Sequence, residues 1–427
     1  MPPSTTTSRA QGHPPGLYVL FFTELWERYS FYSMMAILTL YMDEQLHFSR
    51  GWSAQIYGGY IGAVYFMPLI GGFLADRALG FNRAVIIGGT LMGLGHLSLA
   101  VERLPFFYSA LVLLACGSGL LKPNVSTIVG NLYRARPELR DAGYNIYYMG
   151  INIGAFISPL TVSWFRAHYG WSVAFGSAAV AMAFSLFTFV FFNRLIAEAA
   201  APVPSGRTAA EATETGDAGA RIGLLLVVFA ISVAFWIAFY QNGFTLTFWA
   251  RDNTITSWPP ERFQSVEPLG VILFSPLLVW IWAALRRRHA EPSTPMKMLL
   301  GMILTAGSFL IMLLAATAGG DTGRVAVWWL VASYLVIALG EICLSPMGLS
   351  LVNKLAPPRM RGVLMGGWFV ATSMGGYFSG VLGAYWGQMP HSRFFLLVIA
   401  VIAVAGVALV AVLRPARRII DAAAAAA

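Results

Sequence analysis

The feature that most constrains this chain is a succession of apolar runs, each about 20 residues long and so able to cross a hydrocarbon core about 30 Å thick. They fall near residues 17–43, 52–76, 83–102, 106–130, 142–165 and 171–193, then near 222–248, 264–286, 298–318, 326–350, 362–387 and 393–413. Inside a bilayer no water satisfies backbone N–H and C=O groups, so spanning segments must be helices or a closed barrel. Unbroken runs of this length select helices. Composition agrees, with 57% of residues hydrophobic, 11% charged and a mean hydropathy of +0.67, against about 25% charged in a soluble domain. The expected fold class is all-α, a polytopic membrane protein with twelve transmembrane helices.

Between the sixth and seventh runs lies IAEAAAPVPSGRTAAEATETGDAGA, residues 196–220. It is too polar and too broken by Pro and Gly to span. It reads as a cytoplasmic linker between two six-helix bundles, 17–195 and 221–413, flanked by tails 1–16 and 414–427. Counting Lys and Arg between the runs gives 19 on the side of Arg77, Arg134, Arg286 and Lys354 and 7 on the side of Arg50, Arg166 and Arg251. Cytoplasmic loops retain positive charge, so both termini are expected in the cytoplasm. Lipid and topology account for the net charge of +9 better than a nucleic-acid partner does. Cys116 and Cys343 fall inside runs and imply no disulfide framework. The polar first sixteen residues lack the charged-then-apolar pattern of a cleavable signal. Two halves around a linker match the paired-bundle layout of major facilitator transporters, in which the halves rock about a central cavity. LLKPN in the fourth run and CLSPM in the tenth give a faint internal echo.

The candidates for charges near the bilayer centre are Glu24, Glu27, Arg28, Lys122 and Glu341. A charge at the bilayer centre costs on the order of 3 kcal/mol on insertion scales, so such residues face a cavity or a partner. Glu24 and Arg28 have the i,i+4 spacing that favours pairing, with Glu27 on a neighbouring face. Three acids against two bases leave a carboxylate free to gain and lose a proton, as coupling to a proton gradient requires. Tyr29, Phe31, Tyr32, Tyr57, Tyr60, Tyr65, Tyr144, Tyr147, Tyr148, Trp368, Phe369 and Tyr377 gather in the same runs. A cavity lined by tyrosine with opposite charges at its ends would suit a zwitterion. The six His show no HExxH or metal spacing, and there is no GxxxxGK[ST] phosphate loop, so neither a metal enzyme nor ATP-driven transport is expected.

Several stretches resemble the proton-dependent oligopeptide transporter family of the major facilitator superfamily: ELWERYSFYSM, GGFLADRALGFNR, GLLKPNVSTIVGNLY, RDAGYNIYYMGINIGAFISP, EICLSPMG and LAPPRMRGVLMGGWF. The resemblance implies a proton-coupled symporter importing di- and tripeptides or peptide-like solutes by alternating access. It would use the proton gradient, with no cofactor, as a monomer in a bacterial inner membrane. It further implies that Glu24, Glu27 and Arg28 form a proton-coupling element communicating with Lys122, and that Tyr32, Tyr65, Asn152, Glu341 and Trp368 line the substrate pocket with Lys122. Arg50 and Asp252 fall at the expected extracellular gate, and Asp76 with Arg77 at a hinge pair between the second and third helices.

Three positions depart from the family pattern. Met35 stands where relatives usually carry an Arg that holds the peptide carboxylate, and a thioether cannot bind an anion. Tyr240 occupies a seventh-helix place where relatives often have an acid, and Glu267 lies where they read Asn-Pro. Glu267 is either a further amine-binding or proton-coupling residue or a solvated acid in the first turn of its helix, before Pro268. Two extra helices found between the halves of many bacterial members cannot come from 196–220. A carrier of nitrate or an amino-acid-like solute stays open as an alternative, as does a non-transporting receptor.

Overall fold

The computed structural model describes residues 12–201, 218–357 and 360–425. Most of the expected N-terminal tail and linker therefore lies outside the described residues. Among those described there are twelve long helices, once the segment Arg140–Phe191 is divided at Gly170. Gly170 has φ 82° and ψ −173°, a conformation that glycine enters without the steric cost borne by other residues. The helices are α1 (Gly16–Glu44), α2 (Arg50–Leu74), α3 (Phe81–Leu99), α4 (Leu104–Leu132), α5 (140–169) and α6 (171–191). They continue with α7 (Ala218–Phe239), α8 (Val266–Arg287), α9 (Thr294–Ala318), α10 (Trp328–Leu355), α11 (Arg361–Gly383) and α12 (His391–Ala425).

Eight segments are long and apolar enough to cross a membrane, one of them the bent unit containing α5 and α6. The protein is an integral membrane protein. α1, α3 and α11 fall short of that measure. Glu24, Glu27 and Arg28 lower the hydropathy of α1, Asn82, Arg83 and His96 do most of this in α3, and glycines dilute it in both α3 and α11. Those glycines allow close packing: a Cβ on Gly88 would lie 2.6 Å from the Gly117 carbonyl of α4, and one on Gly380 2.4 Å from the Ala54 carbonyl of α2.

Other boundaries differ from the sequence reading for local reasons. The seventh run is not one helix. α7 stops at Phe239, passes through a 3-10 turn at Tyr240–Gly243 and resumes over Thr245–Asp252. Gly243 sits against Tyr57, whose hydroxyl would lie 2.1 Å from a Cβ there. The start of the expected linker is folded instead of free: Ile196, Ala199 and Ala200 are buried, and Asn131 donates to the Ala199 carbonyl at 2.8 Å. The expected C-terminal tail continues α12 to Ala425, consistent with the high helix propensity of its Arg and Ala residues. Thr254–Ile255 (β1) and Val325–Ala326 (β2) add a two-residue parallel pair to an otherwise helical fold. Cys116 and Cys343 are free thiols.

Helices α1 to α6 pack mainly on one another, as do α7 to α12; α2 meets α11 and α5 meets α8 between the sets. Polar contacts joining the sets gather toward one end. Arg50 meets Asp252 at 2.8 Å and Arg166 grips Glu261 at 2.8 and 3.1 Å. Arg251 reaches Asp43 at 2.8 Å, Arg262 donates to Ser163 at 3.0 Å, and Thr39 donates to the Gly243 carbonyl at 3.1 Å.

Candidate transport site

Glu24, Glu27 and Arg28 lie on the inward face of α1, no more than 2% exposed. The i,i+4 spacing suggested that Arg28 would pair first with Glu24. Its guanidinium instead donates two hydrogen bonds to Glu27, with Glu24 at 3.4 Å and the Phe31 ring at 5.0 Å. A planar fork matched to both carboxylate oxygens is geometrically favoured over a single contact. Glu24 is left as the less firmly held acid, with Tyr147 of α5 approaching its carboxyl group. The contact depends on Gly154, where a Cβ would lie 2.5 Å from the Leu25 carbonyl.

Tyr32, one turn further along α1, connects this cluster to the other helix set. It is within electrostatic reach of Arg28 and Tyr65 on one side and of Glu267 and Glu341 on the other. Lys122 of α4 lies over the Tyr65 ring, its Nζ 5.1 Å from the centroid. No ion pair holds Lys122 among the described residues. A cation over an aromatic face gains about 0.5–2 kcal/mol, enough to orient the amine while leaving its charge available. Tyr240, at the break in α7, packs on Tyr65 with ring centroids 5.8 Å apart. The tyrosine that departs from the family pattern therefore closes the wall beside Lys122.

Across from these, the Glu267 carboxyl of α8 is within hydrogen-bonding reach of Glu341 of α10. Glu267 is thus not merely a solvated helix-start residue. Tyr32, Tyr65, Lys122, Asn152, Glu267 and Glu341 all retain partial exposure, while α1 neighbours such as Ile37 and Leu38 are sealed. Partial exposure of polar groups in the middle of apolar helices marks a water-accessible space between the two helix sets. Asn152 donates to the Tyr148 carbonyl one turn earlier, and Tyr148 is half-exposed on the same face of α5.

Two of the expected site elements stand apart from the polar wall. Trp368 does not join the polar wall; it is 2% exposed, with its ring against Gly348 and Phe229. Gly348 leaves a slot on α10 that the indole fills, and apolar burial there outweighs exposure to the cavity. Asp76 and Arg77 do not pair with each other; both are exposed in the π-helical turn Ala75–Leu79, and Arg77 lies over Phe73 at 4.6 Å. Arg50 and Asp252 do meet, at 2.8 Å with side chains about one-third exposed. Met35 is buried among apolar side chains.

The sequence reading named Tyr147 and Tyr148 only among the clustered tyrosines, with no individual role, and assigned none to Arg166 or Glu261. The first two lie in the RDAGYNIYYMGINIG stretch one turn before Asn152, a spacing that could have marked them. The last two lie at helix ends, where sequence gives no sign of which partner will be near. No group of three or more potential metal-ligating side chains occurs among the described residues.

A model of the POT family matches residues 82–213 and 206–393. The chain belongs to that family. Among POT-related proteins, the uncharacterized transporter YclF of Bacillus subtilis strain 168 is 34% identical, with 90% of each chain covered. The peptide transporter YePEPT of Yersinia enterocolitica is 32% identical, with 88% of each covered. A crystal structure of a peptide transporter POT in complex with sulfate superposes with a TM-score of 0.88 at 31% identity, over 96% of each chain. The fold is therefore the major facilitator fold of the POT transporters.

Proposed function

We propose that this chain is a proton-coupled symporter that imports di- and tripeptides or peptide-like solutes across a bacterial inner membrane. The observation that carries this reading is the division of charge around one tyrosine-lined space: an unpaired Lys122 on one helix set and Glu267 with Glu341 on the other. A zwitterion bridging them would bind unequally in the two arrangements of the halves, which is the condition for a ligand to shift a conformational equilibrium. The peptide-transporter relatives support the substrate class.

In this reading all twelve helices span, residues 17–195 and 221–413 are the rocking bundles, and both termini are cytoplasmic. Glu24, Glu27 and Arg28 couple proton binding to the state of Lys122. Tyr32, Tyr65, Asn152, Tyr240, Glu267 and Glu341 contact substrate, with Trp368 backing the pocket. Arg50 and Asp252 close the outer mouth, and Asp76 with Arg77 act at the inner loop when the halves move. The proton gradient drives the cycle, in a monomer with no cofactor and no catalytic step.

Proteoliposomes with an inside-alkaline gradient test it. Accumulation of labelled dipeptide, abolished by collapsing the gradient and by E24Q with E27Q, is the expected result. No gradient-dependent uptake of any di- or tripeptide would refute it. Burial of Met35 favours a second reading, in which the cargo is a smaller amino-acid-like zwitterion. Competition by single amino acids stronger than that by peptides would select it.

A further inference from the structure

Glu267 and Glu341 differ from the buried acids Glu24, Glu27 and Glu261 in having no counter-cation. Arg28 holds Glu27 and approaches Glu24, and Arg166 holds Glu261. No ion pair joins Glu267 or Glu341 to any Lys or Arg among the described residues. The groups that face them are Tyr32 from α1, Tyr148 from α5 and Tyr334 from α10. Phenols are uncharged in the physiological range and cannot compensate a carboxylate. Tyr334 is moreover committed, donating to the Asn242 carbonyl at 2.8 Å. Two carboxyl groups within hydrogen-bonding reach of each other need a proton on one of them to form that bond, because an ionised carboxylate only accepts.

We propose that Glu267 and Glu341 form a single two-carboxyl seat that carries one transported proton and receives the substrate ammonium, so that with its single proton this wall is neutral only when the ammonium is also aboard. The inference rests on the symporter reading above and adds a coupling site to it. The charge balance is simple. With one shared proton the seat is −1, and an ammonium brings it to zero. Without the proton the loaded seat is −1, and a net charge carried through the bilayer centre is disfavoured on the order of a hundredfold on insertion scales. Ammonium without proton, or proton without ammonium, leaves this wall charged; reorientation with both is favoured. The proton enters from the outer aqueous phase, rests between the two carboxyls, and leaves with the solute on the cytoplasmic side. The substrate carboxylate faces Lys122 and is balanced separately.

The neutral isostere makes a distinctive change. In E267Q a lone Glu341 carboxylate neutralises the ammonium with no proton, and E341Q mirrors it. The experiment measures dipeptide counterflow and the proton-to-peptide ratio in proteoliposomes for wild type, E267Q, E341Q and E267D, with melting temperatures confirming folding. Expected is measurable counterflow with weakened peptide affinity in both glutamine variants and the ratio lowered by one, so that accumulation falls about tenfold per unit of pH gradient. E267D, which keeps two acids, retains the wild-type ratio.

An unchanged ratio in E267Q overturns the proposal. So does loss of counterflow in folded E267Q and E267D alike, because Glu267 would then serve substrate handling and not the proton. A wild type that accumulates no peptide under a gradient overturns the symporter reading, and the coupling seat with it, before any variant is compared.

Discussion

Substitution of Glu261 by Gln should release the end of the molecule that carries Arg50 and Arg166 far more than substitution of Asp252 by Asn, although both remove one ion pair between the helix sets. The magnitudes follow from burial. Glu261 is fully buried and accepts two hydrogen bonds from Arg166, at 2.8 and 3.1 Å. Removing one partner of a buried pair typically costs 3–5 kcal/mol. Arg166 keeps 19% of its side chain in solvent and a second contact with Glu44 at 3.1 Å, so the penalty falls below that range, to about 2 kcal/mol. In an outward-open arrangement the pair is broken and both groups are hydrated, so the whole difference acts on the conformational equilibrium, about 30-fold. Arg50 and Asp252 are 35% and 32% exposed, and pairs of that kind contribute about 0.2–1 kcal/mol, or less than about fivefold. Spin labels at His47→Cys and Ser257→Cys, with Cys116 and Cys343 replaced by Ala, would report the outer-mouth distance by pulsed electron resonance. E261Q should move a large fraction of molecules to the longer distance, while D252N should broaden the distribution slightly. Equal shifts, or a larger one in D252N, would refute the ranking by burial.

Gly154→Val should lower the melting temperature and abolish uptake, because the added side chain meets the Leu25 carbonyl at contact distances below 3 Å and overpacking costs about 1–3 kcal/mol; Gly223→Val, with open space at the corresponding position, serves as the tolerated control in the same thermal assay. Tyr65→Leu removes the ring beneath Lys122, about 1 kcal/mol of orientation, and should raise the half-saturation constant for counterflow about fivefold with little change in maximal rate. Outside the membrane, hydrogen bonds from Arg286 and then Lys297 hold the Glu291 carboxyl down from 4.5 to about 2. Its stabilising contribution over E291Q should be complete above about pH 4.5 and disappear as pH falls through about 2, read from denaturation midpoints across that range.

The apolar runs located the helices because lipid leaves the backbone no alternative to intrahelical hydrogen bonds. The charged positions were legible for the same reason: in an apolar run, Glu24, Glu27, Arg28, Lys122 and Glu341 cannot be incidental. Partner choice was not legible. Spacing pointed Arg28 toward Glu24, but side-chain geometry gave it Glu27. Glu267, beside Pro268, read equally as a solvated helix-start acid or as an amine-binding or proton-coupling one, and only the approach of α10 sets it against Glu341. Trp368 carried no sequence mark of the slot that Gly348 leaves for it. The bend at Gly170 falls between the expected runs 142–165 and 171–193 and was legible, whereas the break at Tyr240–Gly243 sits against Tyr57 of α2, a contact that a linear pattern does not contain.

The structure also separates two kinds of acid within the helices by what faces them. Acids that hold the outer end, or belong to the α1 cluster, are matched by an arginine fork, and a matched pair in low dielectric is a switch with a large difference between made and broken. The acids of α8 and α10 face hydroxyls and each other. They are complete only with a proton and a cation that the chain does not supply. A transporter needs both kinds: pairs within the protein to define which mouth is closed, and an unmatched charge to make the closed, occupied state depend on cargo. Adding a lysine beside Glu267, as in Val271→Lys one turn along α8, should therefore satisfy the seat internally. Such a variant should fold, bind amine-bearing substrate at least tenfold more weakly, and lose gradient-driven accumulation. Wild-type affinity in a folded V271K protein would show that the missing counter-charge is not what the substrate provides.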